Sequence, residues 1–166
     1  MGWFNTTKAH NVVLVDGVGQ SWQDFRHTAS IISCETDGEK RKAVVDLQKS
    51  YPMLEFYERS FEIMGEDQIL VEDRIRAKEP VAITYPLHML SKPEFSGKIV
   101  RVVRDGICMS MRMETDAAVE IELSDHYDVD LNDGEPEAFH VVRPPHYHVY
   151  WHINAQKEHC IKMWIS

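Results

Sequence analysis

From Asn11 to the C-terminus, apolar residues recur with a period of two, and Asp-Gly, other glycine-containing or proline signals interrupt them about every ten residues. A helix cannot bury such a pattern on one side, so the chain reads as all-β. In Ile107-Cys108-Met109-Ser110-Met111-Arg112-Met113 the odd positions are apolar and belong to one face of a half-buried strand. Residues 98–103 precede it across Arg104-Asp105-Gly106, where Asp-Gly supplies the positive φ angles of a tight antiparallel hairpin. Residues 119–124 and 161–165 alternate in the same way. Residues 56–63 and 68–75, with a third segment at 81–85, suggest a three-stranded meander. The run 11–16 is apolar on both faces and is expected to be a central strand. Only 21–27 and 47–51 resist the strand reading, and each is too short for more than a turn or two of helix. The acidic, turn-rich stretch 124–137 reads as a solvated loop.

About ten to twelve short strands in one domain must stack or close to bury their apolar faces. The expected architecture is a single domain over 1–166, a two-layer antiparallel β-sandwich, with a jelly-roll or cupin-like barrel as the alternative. The chain is 43% apolar and 27% charged, as a folded domain requires. Its formal net charge of −9, with no basic run, disfavours nucleic acid as a partner. Apolar stretches of four or five residues are far short of the roughly 20 of a helical membrane span. Residues 1–7 lack the pattern of a secretory signal. Cys34, Cys108 and Cys160 have no Cys-x-x-Cys spacing and are expected to be buried free thiols.

Nine histidines are conspicuous in a chain of this length. On a strand, His146, His148 and His152 share one face, and neutral imidazoles there could hold a metal. The simpler reading lets that face meet water or a loop while Tyr147, Val149, Trp151 and Ile153 fill the core. His88, after an apolar strand, reads as a hydrogen-bonded core or edge residue. Trp22, Trp151 and Trp164 are candidates for stacking on sugars in a carbohydrate-binding module. Gly-x-Ser-x-Gly, P-loop and Rossmann fingerprints are missing from the sequence, so nucleophilic and nucleotide-dependent chemistry have no support there.

The segment Thr7-Lys8-Ala9-His10-Asn11-Val12-Val13-Leu14-Val15-Asp16-Gly17-Val18-Gly19-Gln20 resembles a stretch of the heparinase II/III-like polysaccharide lyases, with Val12 where many members have Thr. Arg59-Ser60-Phe61-Glu62-Ile63, Val71-Glu72-Asp73-Arg74 and Leu87-His88 resemble further strands of that family. The similarity is dense over Thr7 to Gln20, covers about Trp3 to Leu90, and rests on the β pattern beyond it.

This resemblance implies a multidomain parent in which an α-helical toroid precedes the sandwich and the two enclose a uronate-binding cleft. Such a parent cleaves acidic polysaccharides by β-elimination, with its catalytic side chains in the toroid, and the chain alone is expected to be inactive. The resemblance also implies zinc in the parent: His10 corresponds to the histidine that completes a site begun by upstream ligands, and no cofactor is expected for the chain by itself. The implied partners are the upstream helical domain and an acidic polysaccharide, and the implied location of the parent is periplasmic or extracellular. Asn11 either faces substrate or satisfies backbone groups in the turn before the strand, the latter being favoured, and Trp22 is a further substrate-facing candidate. Asp16-Gly17 reads as strand-ending turn chemistry. Arg59 and Asp73 are placed to pair across adjacent strands, with Arg74 or Arg76 as alternatives.

Overall fold

The computed structural model describes residues 6–20, 28–37, 40–127 and 146–166. They form ten strands: β1 (Leu14–Val15), β2 (Ser30–Asp37), β3 (Lys40–Asp46), β4 (Leu54–Met64), β5 (Gln68–Met89), β6 (Glu94–Ser96), β7 (Ile99–Arg104), β8 (Ile107–Glu114), β9 (Val119–Ser124) and β10 (Tyr147–Ile165). Short 3-10 turns occupy Thr7–Ala9 and Gln48–Ser50, the second inside one of the two expected helical segments. The other, 21–27, lies outside the described residues.

The fold is all-β, antiparallel and sandwich-like. Its strands are hydrogen-bonded as one sheet in the order β2-β3-β4-β5-β10-β8-β7-β6, with β1 added to β5 and β9 added to β10. β5 and β10 are the backbone of this arrangement, running antiparallel from the Tyr147–Met89 pair to the Ile165–Ile69 pair. Each changes its outer neighbour along its length. β5 meets β4 through residues 68–77 and β1 at residues 83–84, while β10 meets β9 through residues 148–153 and β8 through residues 162–165. Odd positions on both strands face one core cluster, to which Ile75, Ile83, Trp151, Ile153, Ile161 and Met163 each contribute less than 3% of their surface to solvent. At about 25 cal/mol per Å² of apolar area, this shared burial is what drives the strands together.

The expected meander is two strands rather than three. Residues 77–80 do not turn: β5 continues through them for 22 residues. Opposite them the ladder slips, since Arg76 pairs with Glu158 and Val81 with Gln156. Pro80 has no N–H to donate, and it sits where β5 carries extra residues in a bulge that needs no donor there. β1 is also not central. Val13, Leu14 and Val15 are buried on both faces as expected, but β1 pairs with β5 alone among the described strands. The three cysteines are exposed, not buried.

The Asp105-Gly106 hairpin between β7 and β8 forms as expected, with φ of 51° and 81° at its two central residues. Asp16-Gly17 makes a second two-residue turn, with φ of 48° and 76°, closed by reciprocal hydrogen bonds between Val15 and Val18. Those angles match the primed turn that suits the twist of a hairpin.

Candidate functional site

The residues of the Thr7-to-Gln20 segment are engaged in holding that segment on the sheet. Thr7 Oγ1 accepts the N–H of Gln20 at 2.7 Å, and a Cβ at Gly19 would run into the Thr7 side chain, so glycine permits the close approach. Asp16 Oδ1 accepts the N–H of Ala82 on β5 at 2.8 Å. Tyr51 donates its hydroxyl to the Val13 carbonyl at 2.8 Å. Asn11 bonds backbone, but of a distant strand rather than of its own turn: its Oδ1 accepts the N–H of His88 at 3.1 Å.

Arg59 on β4 and Asp73 on β5 are paired in register, as the sequence suggested, through two hydrogen bonds of 2.7 and 2.8 Å. Asp73 is fully buried and Arg59 nearly so. Burial opposes the charge on Arg59, but Asp73, Tyr57 and Tyr85 together hold the guanidinium protonated. The same guanidinium donates to the Asn11 carbonyl at 3.2 Å and lies over the Tyr85 ring. This bidentate, desolvated pair therefore anchors the 7–20 segment from below. His10, within that anchored segment, is exposed.

A histidine cluster lies beside it. The ladder places His88 of β5 directly opposite His148 of β10, and their Nδ1 atoms are 2.7 Å apart. Between two imidazoles that distance is an N–H···N hydrogen bond, which requires at least one ring to be neutral. His146 joins them with its ring 4.6 Å from that of His148, and the Tyr127 hydroxyl meets His146 Nδ1 at 2.7 Å. One donor atom from each of the three histidines lies within 4.8 Å of the others. His148 is fully buried and stacks on Tyr150, over which Lys8 is placed. Burial pushes His88 down to about 4 from its ordinary 6.5, and the neighbouring His148 and His146 add to the effect. Burial also lowers His146. Both shifts favour the neutral forms of His88 and His146.

His152 does not belong to it. It shares a strand face with His146 and His148, but four to six residues of strand separate them by about 13 to 20 Å. It sits instead between Thr84 Oγ1 at 3.2 Å and Glu122 at 3.0 Å. His88 takes its place, across the ladder. The simpler reading of this strand holds for its other face, since Val149, Trp151 and Ile153 are core residues. Trp151 is fully buried and so offers no ring to a sugar, Trp164 is half-buried, and Trp22 lies outside the described residues.

Comparison with known proteins fits this architecture. A model of the family described as heparinase II/III-like, C-terminal, matches residues 2–160. No curated protein matches the chain by sequence. Among solved structures, the chain is similar to the heparinase III-BT4657 gene product at 13% identity and a TM-score of 0.74, over 98% of this chain and 24% of that one. Heparan sulfate lyase HepC from Pedobacter heparinus is similar at 15% identity and a TM-score of 0.72, over 98% of this chain and 25% of that one. A structure of heparinase III gives 13% identity and a TM-score of 0.75, over 98% of this chain and 24% of that one. At such identities the likeness is one of fold, and the chain spans about a quarter of the length of these structures. With the family match extending over nearly its whole length, the chain belongs to the heparinase II/III-like, C-terminal family.

Proposed function

We propose that this chain is the sandwich part of a polysaccharide lyase acting on acidic, uronate-containing polysaccharides, and that it has no lyase activity by itself. The observation that carries this reading is the position of His10. Thr7, Asn11, Asp16 and Gly19 hold the segment together, and His10, within it, is left exposed.

β-Elimination needs a base for the proton at C5 of the uronate, neutralisation of its carboxylate while negative charge builds, and an acid for the leaving oxygen. A net charge of −9 does not suit this chain to attract a polyanion, so the cationic groups of the cleft belong to an upstream helical domain. Zinc in such a parent would take His10 as one ligand. Among the described residues, His10 is not part of any group of three potential donors, so the remaining ligands come from another segment. The sandwich then acts by positioning: the Arg59–Asp73 pair and Asn11 fix the segment that carries His10.

The test is to incubate the isolated chain with uronate-containing polysaccharides and follow the absorbance of the unsaturated uronate product. No product is expected. Its appearance would place a complete catalytic set within these 166 residues and overturn the reading.

A further inference from the structure

We propose that His88, His146 and His148 form a binding site for a divalent transition metal, with zinc as its occupant. The inference goes beyond the lyase reading and does not depend on it.

The donor set is the first argument. Three imidazoles and no carboxylate suit zinc and its first-row neighbours, whereas magnesium and calcium require oxygen ligands. Placement is the second. His148 and His88 face one another because the β5–β10 register pairs them, and His146 enters from the residue just before β10. The backbone that holds His88 and His148 is thus part of the central ladder. His148 is fully buried, which removes competing water from one side, while half-buried His146 leaves an approach from the surface. Finally, Tyr127 fixes the His146 ring through Nδ1, as outer hydrogen-bond partners orient metal ligands.

Metal entry asks for a small rearrangement. Tetrahedral zinc with bonds of about 2.0 to 2.1 Å holds its nitrogens about 3.3 Å apart. The His88–His148 separation of 2.7 Å must therefore open by roughly that difference, and the wider separations in the cluster must close. Rotation of the imidazole rings supplies shifts of this size. Three protein ligands leave one position for water or another group, the coordination of an open zinc site.

The experiment titrates the 166-residue chain, stripped with chelator, with cobalt as a spectroscopic substitute for zinc, and then displaces the cobalt with zinc. The expected result is one cobalt per chain, with visible bands of a tetrahedral site that zinc abolishes. His146→Gln, a half-buried position whose loss the fold should tolerate, is expected to remove the bands while the circular dichroism spectrum stays unchanged. His152→Gln and His10→Ala are expected to retain them. Absence of stoichiometric uptake would overturn the proposal, as would bands that survive in His146→Gln or disappear in His152→Gln or His10→Ala. Because no polysaccharide is present, failure here is distinct from failure of the lyase reading.

Discussion

The side chain of Asn11 accepts the backbone N–H of His88, 77 residues further along the chain, at 3.1 Å. That one bond ties the segment bearing His10 to the strand end bearing a member of the histidine cluster. The two parts of the molecule most able to carry chemistry are thereby fixed relative to one another.

Asn11→Ala removes the acceptor and should cost about 1 kcal/mol in urea denaturation, the typical net worth of one such bond. Asn11→Asp keeps an acceptor oxygen and should recover most of the loss. Equal destabilisation by both variants would show that the bond is not what Asn11 contributes.

Arg59→Met strands a fully buried Asp73 carboxylate and should destabilise by about 3 kcal/mol or more. The double variant Arg59→Met with Asp73→Leu should be more stable than the single one, because no uncompensated charge then stays in the core. A double variant worse than Arg59→Met alone in thermal unfolding would contradict this account.

Gly19→Ala drives a methyl group into the Thr7 side chain and should cost about 1 to 3 kcal/mol, as overpacking does. Faster proteolysis within residues 6–20 should accompany the loss. Unchanged proteolysis and stability would mean that the close approach can relax without consequence.

His88 sets a pH dependence for the chelator-treated chain. Its folded value of about 4 lies below the ordinary 6.5. Between those values the unfolded chain takes up a proton that the folded chain refuses, so its contribution is complete above about 6.5 and is lost as pH falls toward about 4. The urea midpoint of the parent chain should fall across that window more steeply than that of His88→Gln. Parallel profiles for the two proteins would refute the assignment, since other groups titrate equally in both.

Local patterns proved sufficient for some elements. Asp105-Gly106 supplies its own backbone geometry, and the alternation from Ile107 to Met113 puts Met111 and Met113 on the buried face, although Ile107 and Met109 at the hairpin end are exposed. Arg59 and Asp73, 14 residues and one hairpin apart, were legible as a candidate pair, but the choice of Arg59 over Arg74 or Arg76 came from the register of β4 against β5. The motif from Thr7 to Gln20 pointed to the family, but what each motif residue does depends on contacts such as Ala82 and His88 that lie far along the chain.

Period-two alternation states which side of a strand is apolar and is silent on which strand lies beside it. For that reason the sequence by itself determined the all-β class, the hairpins and the apolar faces, all consequences of backbone preference and burial within a few residues. It placed His152 with His146 and His148, since all three share parity on one strand. The tertiary structure put His88 there instead, because cross-strand neighbours approach to a few ångströms while residues six apart on one strand cannot. It also decided that β5 passes through Pro80 without turning, since only the pairing with β10 reveals that a bulge, rather than a turn, accommodates the missing N–H.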